Sequence, residues 1–184
     1  MGLVLLTTPK SVKNSSAIQD NVDDKLIAPY IQKAQFTHIH EMLGTDLYDK
    51  LLSDVKNDQL TATYKLLLDK YIVPCLNEWT VYEVMPFISL KLTNKSIVKG
   101  KSEYSDAGDL SDLKYLRSTV YDLASFYNQR LISYLKQHTD IYPEYITNAT
   151  IDKLKPSHSR NMIGGIYVGD GGLEECTFGL DLPK

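Results

Sequence analysis

Asp109 to His138 reads DLSDLKYLRSTVYDLASFYNQRLISYLKQH, and its periodicity decides the fold. Leu113, Leu116, Val120, Leu123, Tyr127, Leu131 and Tyr134 recur at steps of three and four, the spacing of one stripe on a single long amphipathic helix. Asp109 or Ser111 can cap its start, and Asp112 places negative charge in the first turn, where the helix dipole favours it. Ser118, Asp122, Ser125, Gln129 and Ser133 fall on the opposite face. Helices on their own gain little from propensity, so the stripe must be buried against partners, which the rest of the chain is expected to supply.

Ala62 to Leu92 is the most apolar part of the sequence. Tyr64, Leu67, Leu68, Tyr71, Ile72, Cys75, Leu76, Trp79 and Tyr82 cover more than one helical face, which predicts a central helix buried on two sides. An interruption is expected at Pro74, with Pro86 a second place for a kink or a new start, because proline inside a helix costs roughly 3 kcal/mol. Upstream, Asp23 can cap a helix carrying Ile27, Ile31, Ala34, His38 and Met42 on one face, closed by Gly44 as a left-handed cap. Pro29 predicts a kink in it or a start delayed towards Ala28. Thr45 can cap the next helix, with Leu47, Tyr48, Leu51, Leu52 and Val55.

Leu3 to Thr7 reads as a short strand or extended arm, Lys10 to Asn21 as a polar connection anchored by Val12 and Ile18, and Asn94 to Gly108 as a loop or small hairpin. The expected fold is mainly α: an antiparallel helical bundle of about four long helices, a small β hairpin or loop, and an extended C-terminal arm. Residues 1–140 would form the helical domain with its N-terminal extended segment, and 141–184 the arm. The arm's one apolar run, Met162 to Val168, has too few anchors to fold alone. Met162, Ile163, Ile166, Tyr167 and Val168 are therefore expected to form a protein interface by adding a strand to another surface.

Composition excludes several classes. With 184 residues, 43% hydrophobic and 23% charged, the chain is long enough for one sizeable core and is neither disordered nor membrane-spanning in type. Leu3 to Leu6 is too short for a signal-peptide core, so a cytoplasmic site of synthesis and no membrane partner are expected. Cys75 and Cys176 are far apart and lack metal-ligand spacing, which implies neither a zinc site nor a disulfide framework. A net charge of -3 argues against a protein whose main affinity is for phosphate backbones. Thirteen tyrosines against four phenylalanines and one tryptophan suit half-buried positions, at a core edge or at an interface.

No catalytic constellation emerges, and no cofactor is expected. His38 and His40 are two apart, so on a helix they point to different faces and cannot chelate one ion; His38 reads as a core histidine with one hydrogen bond. Asp106, Gly108, Asp109 and Asp112 lack the alternating ligands and terminal glutamate of a calcium loop. Gly164-Gly165 and Gly169-Asp170-Gly171-Gly172 are not followed by the helix that a nucleotide loop requires. Glu78 and Glu83 on the central segment could meet across a kink, and a cleft holding both with His38 would point to an enzyme. Lys91, Lys95, Lys99 and Lys101 form the one basic run, either a solvated loop or a surface that meets passing nucleic acid through its phosphates.

The order of pieces resembles a known family. Asn21-Val22-Asp23-Asp24 leads into a helix with Ala34-Gln35, followed by Leu43-Gly44-Thr45 with Leu47-Tyr48 and Leu51, then Tyr71-Ile72-Val73-Pro74-Cys75-Leu76, Pro86 and Asn94-Lys95. From about Leu3 to His138 this is similar to the head-to-tail connector, or adaptor, proteins of tailed bacteriophages, especially those of Bacteroides-infecting and crAss-like phages. Ser96 stands where such proteins tend to have glycine. The resemblance implies a non-enzymatic virion protein, made in the bacterial cytoplasm. It implies a ring of identical subunits, usually twelve, beneath the portal protein. Such a ring carries tail or further ring proteins and continues the channel for double-stranded DNA without reading its sequence. Lys95, Lys99 and Lys101 would then lie on a loop facing the channel or the portal. The other expectation is a small helical regulatory or host-interaction binding protein, monomeric or dimeric.

Overall fold

The computed structural model describes residues 4–18, 20–92, 97–99, 110–147 and 154–156. Within them the chain is mainly helical: α1 (Pro9–Ser15), α2 (Asp24–Ala34), α3 (His40–Leu43), α4 (Thr45–Lys56), α5 (Ala62–Leu67), α6 (Val73–Ser89) and α7 (Leu110–Gln137). Two π-helical turns, Gln35–Ile39 and Leu68–Ile72, join α2 to α3 and α5 to α6, so each pair is one continuous rod. Two three-residue strands, β1 (Leu90–Leu92) and β2 (Ile97–Lys99), pair antiparallel, with Leu90 opposite Lys99 and Leu92 opposite Ile97.

α6 is the centre. Cys75, Leu76, Asn77, Glu78, Trp79, Thr80 and Val81 are buried in succession, which only a helix enclosed on several sides allows. α7 covers one side of it, and α1 and α2 cover others. Along the α5–α6 rod Tyr71, Trp79 and Tyr82 meet Tyr134, Tyr121 and Arg117 in turn, so α7 runs opposite to α6. The same opposed order relates α2 to α6 through Tyr30 with Phe87 and Lys33 with Glu83.

Pro74 falls where a new helical segment begins, as its sequence implies, whereas Pro29 and Pro86 start no new helix. α2 begins at Asp24 in spite of Pro29, because the Asp23 carboxylate accepts from the Lys25 N–H at 2.9 Å and fixes the start. Pro86 lies inside α6 without ending it. Pro74 sits in the first turn of α6, and the wide turn just before it takes up the mismatch left by its missing N–H. Gly44 has φ 74° and ψ 162°, so it is not the left-handed cap expected; the large ψ turns the chain directly from α3 into α4.

The stripe on α7 is also rotated. Ala124, Asn128, Leu131 and Leu135 are buried, whereas Leu116 and Leu123 face outward. Asn128 is the cause: its Oδ1 accepts from Trp79 Nε1–H at 3.2 Å and from the Cys75 thiol at 3.3 Å. Two donors buried on α6 demand a polar partner, and that demand outranks the packing of two leucines. Ala124 then lets the two helices approach closely.

The first residues form no ladder and are held by side chains instead. Gln35, almost wholly buried, accepts from Leu6 N–H at 2.9 Å, and its amide donates to Val4 C=O at 3.1 Å and to the Tyr48 hydroxyl at 3.0 Å. The Thr7 hydroxyl donates to Asn77 Oδ1 at 2.8 Å. The segment read as a polar connection contains α1, capped by the Thr8 hydroxyl accepting from Ser11 N–H at 3.2 Å and started by Pro9. Val12 on it is fully buried, and Ile18 packs on the core.

Packing continues past α7. Tyr142 is fully buried and donates to Thr63 C=O at 3.2 Å, and the Tyr64 hydroxyl donates to Glu144 at 2.6 Å. Leu154 C=O accepts from Thr45 N–H at 3.4 Å, and Pro156 lies directly over Gly44.

Candidate interaction surface

Most residues singled out as sites fall outside the described parts of the chain. Met162, Ile163, Ile166, Tyr167 and Val168 lie there, as do Lys95 and Lys101. Lys99 is on β2, opposite Leu90. Two other arrangements are on view.

The first is a polar cluster between the α2–α3 rod and α6. The His38 ring stacks on Trp79, centroids 3.8 Å apart at 9°, and its Nε2 lies 3.2 Å from Glu83 Oε1. Lys33 Nζ is 2.6 Å from the other Glu83 oxygen. A carboxylate only accepts, so Nε2–H is the donor and the ring orientation is fixed from both sides. His38 therefore has the hydrogen bond that its place on the helical stripe implied. Burial raises the Glu83 pKa, but hydrogen bonds and charge from Lys33 and His38 outweigh it and leave the carboxyl below its ordinary value. Glu78, buried on the same helix, is raised by desolvation.

The cluster locks two helices together and has the chemistry of a salt-bridged hydrogen-bond network. Above the ordinary carboxylate value of 4.5 its stabilisation is complete, and it is lost as pH falls through the depressed folded value. Glu83→Gln is expected to cost about 1 to 2 kcal/mol at pH 7, since hydrogen bonds to a charged group are exchanged for weaker ones. Urea denaturation at pH 7 and pH 3.5 checks this: the loss should shrink at the lower pH, which lies below the ordinary value of 4.5, so the unfolded carboxyl takes up a proton that the native ion pair resists. A loss equal at both values would remove the charge from the account.

The second arrangement is the outward face of α7. Tyr115 is 74% exposed, Leu116 53%, Leu123 43% and Phe126 59%. At 100° per residue these four, with Thr119 between them, share one face. The Thr119 hydroxyl donates to Tyr115 C=O at 3.1 Å, so the centre of the face shows its methyl. Four large apolar side chains exposed on one helical face suit a contact surface better than single exposed ones do.

The tyrosines are mostly not part of it. Tyr48, Tyr64, Tyr142 and Tyr145 are buried, and Tyr71, Tyr82, Tyr121, Tyr127 and Tyr134 pack half-buried against the core. Burial pushes the Tyr64 and Tyr142 hydroxyls well above their ordinary value and Tyr145 to about 12. Their role is to fill the core edge with an apolar body and a hydrogen-bonding tip. Among the described residues no group of three or more His, Cys, Asp or Glu could hold a metal ion, and no helix is long and apolar enough to cross a membrane.

The fold and this face define a mainly helical domain with an outward apolar helix surface. Residues 39–154 match the model of a family of unknown function, DUF6712. The match covers more than half of the chain, which therefore belongs to that family. It runs from the first π turn to Leu154, the residue that meets Thr45 beside Gly44. No curated protein and no solved structure matches.

Proposed function

We propose that this protein is a structural component of a tailed-phage virion, a ring subunit below the portal that joins head to tail and continues the DNA channel. The observation that carries the reading is the outward apolar face of α7, which suits a chain that completes itself against neighbours, taken with the sequence resemblance over Leu3 to His138. In this reading the helices form an antiparallel bundle with a small β hairpin, and the C-terminal arm contacts a neighbouring copy or another virion protein. The Asn94 to Glu103 loop, with Lys95, Lys99 and Lys101, faces the channel or the portal. The protein has no catalytic role and no cofactor.

The test is the mass in solution of the full chain, alone and with a candidate portal protein, by sedimentation velocity. A heterologous interface closes into a ring, and twelve copies of the 20.8 kDa chain give about 250 kDa. Assembly to that size, alone or on the portal, supports the reading. A chain that stays monomeric or dimeric and ignores the portal overturns it in favour of a small helical binding protein with a soluble partner.

A further inference from the structure

α7 carries a second periodic stripe besides its buried one. Asp112, Leu116, Thr119, Leu123, Phe126 and Arg130 recur at alternating steps of four and three, and all six are exposed. That spacing is the seam of a two-helix coiled coil, and this seam is acidic at its start, apolar in its middle and basic at its end. We propose that α7 pairs antiparallel with α7 of a second copy of the chain, about a two-fold axis at the level of Tyr121. Leu116 then meets Phe126 of the copy, Thr119 meets Leu123, and Asp112 meets Arg130, each of them twice.

Charge selects this occupant and this direction. A parallel pair in register sets Asp112 beside Asp112 and Arg130 beside Arg130, whereas the antiparallel one makes two opposite-charge pairs at its ends and leaves its middle apolar. Sliding by one heptad sets Asp112 against Leu123 or Arg130 against Thr119, with no opposite charge to meet. The Arg130 guanidinium lies over the Tyr71 ring at 5.2 Å, a contact that leaves its N–H donors for a carboxylate. Asp112 already has an interaction in its own chain, and a carboxylate accepts several bonds at once. Asp122 stands about 60° to the side of the seam, where its charge stays in water. The seam is about 27 Å long, a small contact, so the pair should form at micromolar rather than nanomolar concentrations. This contact goes beyond the ring reading, because it closes at two copies and a ring needs a heterologous one. It describes the free chain, whose pairs either open on ring assembly or leave the ring contact to another surface.

Charge reversal in full-length chains, followed by sedimentation velocity, tests the pairing. The native chain is expected to pass from one copy to two between about 1 and about 500 μM. Asp112→Arg and Arg130→Asp, each alone, turn both end pairs into repulsions and should weaken pairing about ten-fold or more. Mixed in equal amounts, the two variants should pair with each other about as tightly as the native chain pairs with itself, because every end contact then joins opposite charges. A chain carrying both reversals should likewise pair with itself. Both positions are exposed, and recovery on mixing shows that neither variant is misfolded. A native chain that stays monomeric throughout, reversals that leave pairing unchanged, or a mixture and a double variant that pair no better than the single ones overturn the proposal. The same runs keep the two readings apart. Native dimers that respond in this way and never enlarge, with or without a portal protein, keep the pairing and remove the ring. Ring-sized species indifferent to both reversals keep the ring and remove the pairing.

Discussion

Trp79→Ala should lower the stability of the fold by about 3 to 5 kcal/mol, the range for removing a large aromatic side chain from a packed interior. The residue is 3% exposed. Its ring is stacked on His38 and meets Tyr82 and Tyr121 edge-on, with centroids at 5.6 and 5.7 Å. Its Nε1–H donates to Asn128. It therefore joins the α2–α3 rod, α6 and α7 at one point, and no single neighbour can fill the space it leaves. Domains of this kind have about 5 to 15 kcal/mol in total, so the change uses a large share of it. At about 2 to 4 °C per kcal/mol the midpoint should fall by about 6 to 20 °C. Trp79→Phe keeps the stack and loses the hydrogen bond, at about 1 to 2 kcal/mol. Because Asn128 serves both Trp79 and Cys75, Asn128→Ala in the Trp79→Phe background should cost less than in the native chain. Thermal and urea melts followed by circular dichroism measure all four, since all but Asn128→Ala alone lack the sole tryptophan. A Trp79→Ala protein within 1 kcal/mol of the native one would mean that the three helices do not meet at this ring.

Helix positions were legible wherever a local signal and a periodic one agreed. Asp23 as a cap, Ile27, Ile31, Ala34 and Met42 as a buried face, and the burial of Cys75, Leu76 and Trp79 all follow from residue type and spacing, whereas the burial of Asn77, Glu78 and Thr80 does not. The rotation of α7 was not legible, because it depends on Asn128 meeting two donors that lie some fifty residues earlier. Asparagine in a periodic pattern reads as surface, and only tertiary context makes it core. The same error hid the candidate surface: with Leu116 and Leu123 assigned to the interior, the outer face looked polar. A signal was present, since Tyr115, Leu116, Leu123 and Phe126 together give α7 more apolar positions than one buried stripe needs. α1 had its signal too, Thr8 before Pro9 being a helix start. The Ala34-Gln35 and Leu43-Gly44-Thr45 motifs were read only as a likeness. The structure gives them physical work, because Gln35 pins residues 4 to 6 and Gly44 receives 154 to 156.

Gly44→Ala should cost about 2 to 4 kcal/mol from two separable sources. The backbone at φ 74° and ψ 162° lies in a region that only glycine occupies without strain, worth about 1 to 3 kcal/mol. A Cβ there would also stand 2.9 Å from Pro156 Cδ and 3.1 Å from Leu154 C=O, so the docked segment has to move. Pro156→Gly separates them, since it removes the ring that a Cβ would strike and leaves the strain untouched. In that background Gly44→Ala should cost about 1 kcal/mol less than in the native chain. Hydrogen exchange at Thr45 gives a second readout, because its N–H donates to Leu154 C=O. Its exchange should quicken at least ten-fold in Gly44→Ala, as the acceptor is pushed off. Equal costs in both backgrounds, with unchanged exchange at Thr45, would mean that residues 154 to 156 are not seated on the α3–α4 corner.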